Sequence, residues 1–208
     1  MMRRMSVITN GGGTDAPVGG AHDVERLRAL LGSPPPPRAW PALVVLVGPP
    51  GSGKTTLRRA LAERLPVAVI DGDAFREHLV GIPDYSFRES QRLARAVRAL
   101  IGELLDQGCT VVLDDSNLTE WERQPLYTLA DLHRARLVLV QVTAPVNVIH
   151  ERIRGLAEQS PQDTTAVRQL YERMAGRQEP ITRPHLTVDT SRDIRQFVEG
   201  VVLDLEEG

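Results

Sequence analysis

The segment Gly48-Pro49-Pro50-Gly51-Ser52-Gly53-Lys54-Thr55 constrains the fold of this chain more than any other feature. It fits G-x-x-x-x-G-K-[ST] at every position, and its neighbours suit it. A continuous apolar run, Ala42 to Val47, precedes it, as expected of a strand covered on both faces. Lys54 to Arg64 follows with helical spacing, Leu57, Ala60 and Leu61 on one side. In such a loop the glycines let successive backbone N–H groups turn inward and cradle phosphate oxygens at the positive end of the helix. Gly48, Pro50, Gly51, Ser52, Gly53, Lys54, Thr55 and Thr56 are the expected nucleotide-binding residues. Lys54 is placed to neutralise the β- and γ-phosphates, and the Thr55 hydroxyl to hold Mg²⁺. Lys54 is also the only lysine in the chain; every other basic residue is arginine. It stands where a compact ammonium serves better than a planar guanidinium. The expected ligands are therefore a nucleoside triphosphate and Mg²⁺.

The rest of the chain alternates strands and helices. Val67–Ile70, Thr110–Leu113, Arg136–Val142 and His185–Val188 read as four further strands. Ser86 to Gln107 reads as a long helix, with Leu93, Val97, Leu100, Ile101 and Leu104 on one face. Thr119 and Glu122 form a capping-box pattern, and Ile194 to Leu205 reads as a closing helix. Five strands with helical crossovers specify an α/β fold: a parallel sheet with helices on both faces and a small lid around Gly155 to Gln162. A further helix is expected from there to about Ala175. Residues 1–38 read as a flexible extension, rich in Gly and ending in Pro34–Pro37, with one short helix at His22 to Leu31; residues 39–208 read as the domain.

Composition sharpens the function class. The 208 residues carry a formal net charge of −2, which argues against a chain held to nucleic acid by bulk charge. The lone Cys109 excludes an internal disulfide and a cysteine zinc site. No secretory signal or membrane-length apolar run is visible, so the expected compartment is the cytoplasm. A GTPase needs an Asn/Thr-Lys-x-Asp segment, which a chain with one lysine already in the loop cannot supply. The Leu-Ser-Gly-Gly signature of ABC ATPases is absent, and the remaining length leaves no helical lid domain of the AAA+ type. A small kinase remains, with a P-loop binding module or ATPase lacking an acceptor as the rival.

Three further segments carry candidate chemistry. Strand two ends in Asp71-Gly72-Asp73-Ala74-Phe75-Arg76. A carboxylate there can take the proton of an attacking hydroxyl, with Asp73 ahead of Asp71, and Arg76 can hold an acceptor phosphate or carboxylate. The bland reading is that one of the aspartates caps the next helix. Strand three ends in Asp114-Asp115-Ser116-Asn117, the form expected of a carboxylate that reaches Mg²⁺, with either aspartate facing the metal. Thr55, Asp71 and Asp114 are the expected metal residues. Arg152 and Arg154, before the lid, are candidates to close on the phosphates. Arg88, Arg92, Arg95 and Arg98 form a stripe on the long helix, either a polyanion groove or its solvated face.

These residues resemble the small P-loop kinases that include polynucleotide 5′-hydroxyl kinases, seryl-tRNA kinases and adenylyl-sulfate kinases. The resemblance rests on GPPGSGKTT at 48–56, IDGDAFREHL at 70–79 and VVLDDSNL at 111–118, with weaker matches at ERIRG 151–155 and PHLTVDT 184–190. It implies a strand order of 2-3-1-4-5, Asp73 as general base, Arg76 on the acceptor phosphate and Asp115 holding the arginine–phosphate network. It also implies that a lid arginine corresponds to Arg152 or Arg154. Adenylyl-sulfate kinases carry Phe-Ile-Ser-Pro after strand three where this chain has Asp-Asp-Ser-Asn. The resemblance thus implies phosphoryl transfer from Mg-ATP to a hydroxyl, with a 5′-OH nucleic-acid end as the leading acceptor. A small metabolite or adenylyl sulfate is the alternative.

Overall fold

The computed structural model describes residues 20–158, 172, 174 and 176–207. The expected helix ending near Ala175, apart from residues 172 and 174, and residues 159–162 of the expected lid fall outside them. Five strands, β1 (Ala42–Val47), β2 (Ala68–Asp71), β3 (Thr110–Asp114), β4 (Arg136–Thr143) and β5 (Leu186–Asp189), form one parallel sheet in the order β2-β3-β1-β4-β5. The described helices are α1 (Ala21–Leu31), α2 (Lys54–Ala62), α3 (Gly72–Val80), α4 (Phe87–Asp106), α5 (Glu120–Leu132), α6 (Val146–Glu158) and α7 (Arg195–Glu207). Both expectations, the parallel α/β sheet and its strand order, are met.

β1 is the central strand, and all six of its residues are buried. Its two-residue period divides it between two cores. Leu43, Val45 and Val47 meet α1, α3, α4 and α5 through Leu27, Phe75, Leu100 and Tyr127, while Val44 and Leu46 meet α2 and α7 through Leu57, Leu61, Val198 and Val201. Helix starts follow side-chain chemistry. Ser86 caps α4 by accepting from Glu89 N, and Thr119 with Glu122 completes the capping box of α5. Each such cap stabilises by about 1 kcal/mol.

Residues 20–38 pack against the domain. Val24 and Leu27 of α1 are buried in the larger core. Asp23 is buried and takes a two-pronged ion pair from Arg92 of α4, at 2.7 and 2.6 Å. Arg26 donates to the carbonyls of His78 and Leu79 at the end of α3. The proline run then lies against the domain: Pro35 O accepts from Cys109 Sγ, and Arg38 N donates to Gly108 O. Composition marked a linker because proline stiffness reads the same whether or not the segment has a surface to lie on.

Candidate active site

The loop between β1 and α2 is tied to both neighbouring strand ends. Gly48 N donates to Ser116 O, and Asn117 Nδ2 donates to Leu46 O at 2.9 Å, so the β3 loop registers the phosphate loop. Gly53 has φ of +101°, and a Cβ there would come within 2.4 Å of Thr190 Oγ1. Glycine is required at that position on both counts. Ser52 is fully buried and its Oγ has no hydrogen-bond partner among the described residues, a donor left over inside a phosphate-shaped turn. Lys54 Nζ folds over the loop onto the carbonyls of Gly48 and Pro49, at 2.8 and 3.2 Å. Burial lowers its pKa, and the carboxylates of Asp114, Asp115 and Asp73 oppose that shift.

Thr55 Oγ1 donates to Asp114 Oδ2 at 3.2 Å. These are two hard oxygen groups side by side at the helix N-terminus, the donor type that Mg²⁺ takes. Of the two adjacent aspartates, Asp114 faces the threonine; burial raises its pKa while Lys54 and Arg58 pull it back. Asp115 turns to the other side, accepts from Ser116 N at 2.6 Å and packs over Gly72, where a Cβ would lie 2.8 Å from its carboxylate. The protein packed around it, with Asp73 nearby, raises its pKa.

Asp71 is engaged through both carboxylate oxygens. One oxygen accepts from Ala74 N and caps α3; the other pairs with Arg58 at 3.0 Å. Asp71 is thus a helix cap and an ion-pair partner of Arg58 in the described structure. Arg58 itself was not singled out. It lies one helical turn beyond Lys54, and its Nε also reaches Asp114 Oδ2 at 3.1 Å, so one guanidinium fixes the carboxylates at the ends of β2 and β3. Its i+4 spacing from the loop lysine was the available signal.

Asp73 occupies the first turn of α3, is exposed and accepts no hydrogen bond from the described residues. Arg76 is held from behind: Glu89 of α4 pairs with it, Ser90 Oγ lies 3.4 Å away, and its guanidinium sits 5.1 Å from the Tyr85 ring. Glu89 also accepts from Asp84 N, which fixes the loop between α3 and α4. Of the arginine stripe, Arg92 is committed to Asp23.

The two α6 arginines differ. Arg152 donates to Gly51 O, Thr190 Oγ1 and Thr190 O at 3.1, 2.8 and 2.8 Å, and Thr190 Oγ1 donates in turn to Ser52 O. This makes Arg152 a buttress of the phosphate loop in the described conformation, whereas Arg154 is exposed. Thr190 was marked in the sequence only as the last residue of the PHLTVDT match, with no role assigned to it.

The AAA_33 family model, an AAA domain, matches residues 43–181. The chain belongs to this family. The AAA_33 match begins in β1 and ends at Ile181, so it includes the loop, both aspartate-bearing strand ends and α6. Among curated proteins the chain is 58% identical over 41 residues to the shikimate kinase of Corynebacterium diphtheriae, covering 20% of this chain and 24% of that protein. It is 38% identical over 103 residues to the shikimate kinase of Thermobifida fusca, covering 48% and 58%. The chain thus spans about a quarter and about three-fifths of the length of these relatives. Among solved structures it is similar to a candidate kinase of Chloroflexus aurantiacus, with 25% identity and a TM-score of 0.64 over 81% of this chain and 97% of that one. The Mycobacterium tuberculosis APS kinase CysC, in complex with AMPPNP and APS, shares the fold at 21% identity and a TM-score of 0.59, over 83% and 100%. No described helix is long and apolar enough to cross a membrane.

Proposed function

We propose that the protein is an ATP-dependent kinase that moves the γ-phosphate of Mg-ATP to a hydroxyl acceptor. The observation that carries this reading is the juxtaposition of Thr55 with Asp114 beside Lys54, with Asp73 in the first turn of the neighbouring helix. The residues present fit a Mg²⁺-nucleotide. Ser52 and the loop amides supply donors for phosphate oxygens, and Thr55 and Asp114 supply oxygens that would hold the metal. Bound there, Mg²⁺ supplies neutralisation of the charge on the transferred phosphoryl group.

In this reading Lys54 exchanges its contacts with the Gly48 and Pro49 carbonyls for phosphate oxygens, and Arg58 keeps Asp114 turned towards Thr55. Asp73 accepts the hydroxyl proton as the acceptor oxygen bonds to the γ-phosphorus and the bond to ADP breaks. Arg76, oriented by Glu89, holds an anionic group of the acceptor. Arg154 is the arginine left to close on the phosphates. The leading acceptor is a 5′-OH nucleic-acid end. A small-metabolite acceptor is the second reading, favoured by the two relatives named as shikimate kinases.

An acceptor screen with γ-labelled ATP, containing 5′-OH oligonucleotides, adenylyl sulfate, shikimate, nucleosides and sugars, tests this. Label transferred to one class names the acceptor. Slow ATP hydrolysis indifferent to every compound overturns the kinase reading in favour of an acceptor-less ATPase.

A further inference from the structure

The chain is poor in aromatic residues, at 4%, yet it exposes three of them near the acceptor side. Tyr85, Phe87 and Trp121 are each 69% exposed. Phe87 opens α4 and Trp121 lies in the first turn of α5; their rings stack at 6.4 Å with 30° between planes. Tyr85 lies under Arg76, which links this corner to α3 and Asp73. A stacked pair this open leaves most of its apolar surface in water, since each ring carries about 150–250 Å² of surface.

The same side of α4 carries unneutralised positive charge. Phe87, Gln91, Ala94 and Arg98 follow the i, i+4, i+7, i+11 repeat of one helix face, flanked by Arg88 and Arg95. From Phe87 to Arg98 the face runs about 16 Å. Among the described residues Arg88, Arg95 and Arg98 have no hydrogen bond or ion pair. Burial, with Arg95 nearby, lowers the Arg98 pKa. The local carboxylates are committed elsewhere: Glu89 to Arg76, Glu120 to Arg123 and Glu122 to the α5 capping box. An ordinary solvated helix face interleaves both signs; this one keeps three arginines unpaired in a chain of net charge −2.

Resting on the kinase reading above, we propose that the Phe87–Trp121 stack and the Arg88, Arg95 and Arg98 face of α4 form a track for a single nucleic-acid strand. A base stacks on the open aromatic pair and the following phosphates pair with the arginines, bringing the strand's end to Asp73 and Arg76. Stacking is tolerant of sequence because every base has a π face, and a positive groove tracks the backbone. A small metabolite would occupy Arg76 and have no use for charges a further three helical turns away.

The test measures binding without ATP or Mg²⁺, so it is independent of transfer. Trp40 and Trp121 are the only tryptophans, and Trp40 precedes β1, at the end of that strand opposite the phosphate loop. In a Trp40→Phe background, unstructured 12-mer oligothymidylate is expected to quench Trp121. Its affinity should fall with salt at a log–log slope near 2, about 0.7 for each of three phosphates. Arg95→Glu with Arg98→Glu should flatten that slope by more than half. By anisotropy of a labelled 12-mer, Phe87→Ala should weaken binding roughly tenfold and Phe87→Tyr should restore it. Circular dichroism checks that these substitutions leave the fold unchanged. Absence of quenching, a slope unchanged by the double reversal, or thymidine binding as tightly as the 12-mer would each overturn the track. Binding with these features but no label transferred to any compound of the acceptor screen would keep the track and sink the kinase reading instead.

Discussion

In the proposed reading, the nucleotide side and the acceptor side of this crevice are built in different ways. On the nucleotide side nearly every functional group is already bonded to another: Lys54 to the loop carbonyls, Thr55 to Asp114, Arg58 to Asp71 and Asp114, and Arg152 through Thr190 to Ser52. On the acceptor side Asp73 is unbonded, three aromatic rings stand exposed, and Arg76 alone is held in place. Phosphate is the same in every nucleotide, so its site can be preorganised by short-range contacts. An acceptor differs from protein to protein, and the side that reads it keeps groups free. The difference predicts that nucleotide-side substitutions damage a network, while acceptor-side substitutions remove single interactions.

The largest expected effect is at Lys54. Lys54→Ala should lower transfer at least a hundredfold with Tm nearly unchanged, because the loop is made by backbone. Lys54→Arg should fail too, since a planar head does not fit a site built for a point charge. An arginine variant with more than half of normal activity would break the comparison on the nucleotide side. Next comes Asp73→Asn, expected to lower kcat by roughly 10²–10⁴ while the KM for ATP stays the same. Arg76→Ala should act mainly on acceptor KM. Near-normal turnover in Asp73→Asn would leave that residue only its place in the first turn of α3.

A smaller effect separates the two α6 arginines. Arg152→Ala removes three hydrogen bonds and should cost about 1–3 kcal/mol of stability while raising the KM for ATP. Arg154→Ala should leave stability within about 0.5 kcal/mol and lower kcat instead. Denaturant melts beside steady-state kinetics distinguish them, and equal stability losses would show that both are structural.

The smallest effect sharpens the role of α1. Arg92 holds the Asp23 carboxyl below its ordinary range, chiefly through their hydrogen bonds. Asp23→Asn should therefore cost about 1–3 kcal/mol at neutral pH. A depressed carboxylate stabilises the fold fully above its unfolded pKa of about 3.9 and loses that contribution as pH falls through the lower folded value. The gap between wild type and Asp23→Asn should thus persist from pH 5 to 8 and close below about pH 4. A gap that does not change with pH would remove the ion pair as its cause.

Much of this molecule is written locally in its sequence. The phosphate loop, the apolar β1, the capping box of Thr119 and Glu122, and the aspartates at the ends of β2 and β3 each depend on residues within a few positions of one another. Strand and helix periods then follow from which side of the sheet each residue faces. Tertiary structure decided what depends on distant partners. Asp71 and Asp73 differ by two positions, yet the approach of Arg58 from α2, added to the local cap at Ala74 N, commits the first while the second is left free. Arg92 reads like Arg88 and Arg95 until Asp23, 69 residues earlier, docks against it. Arg152 and Arg154 are told apart by Thr190, across the sheet on the loop after β5. A charged side chain's role is set by which opposite charge or carbonyl the fold brings within about 3 Å, and that pairing has no period in the sequence.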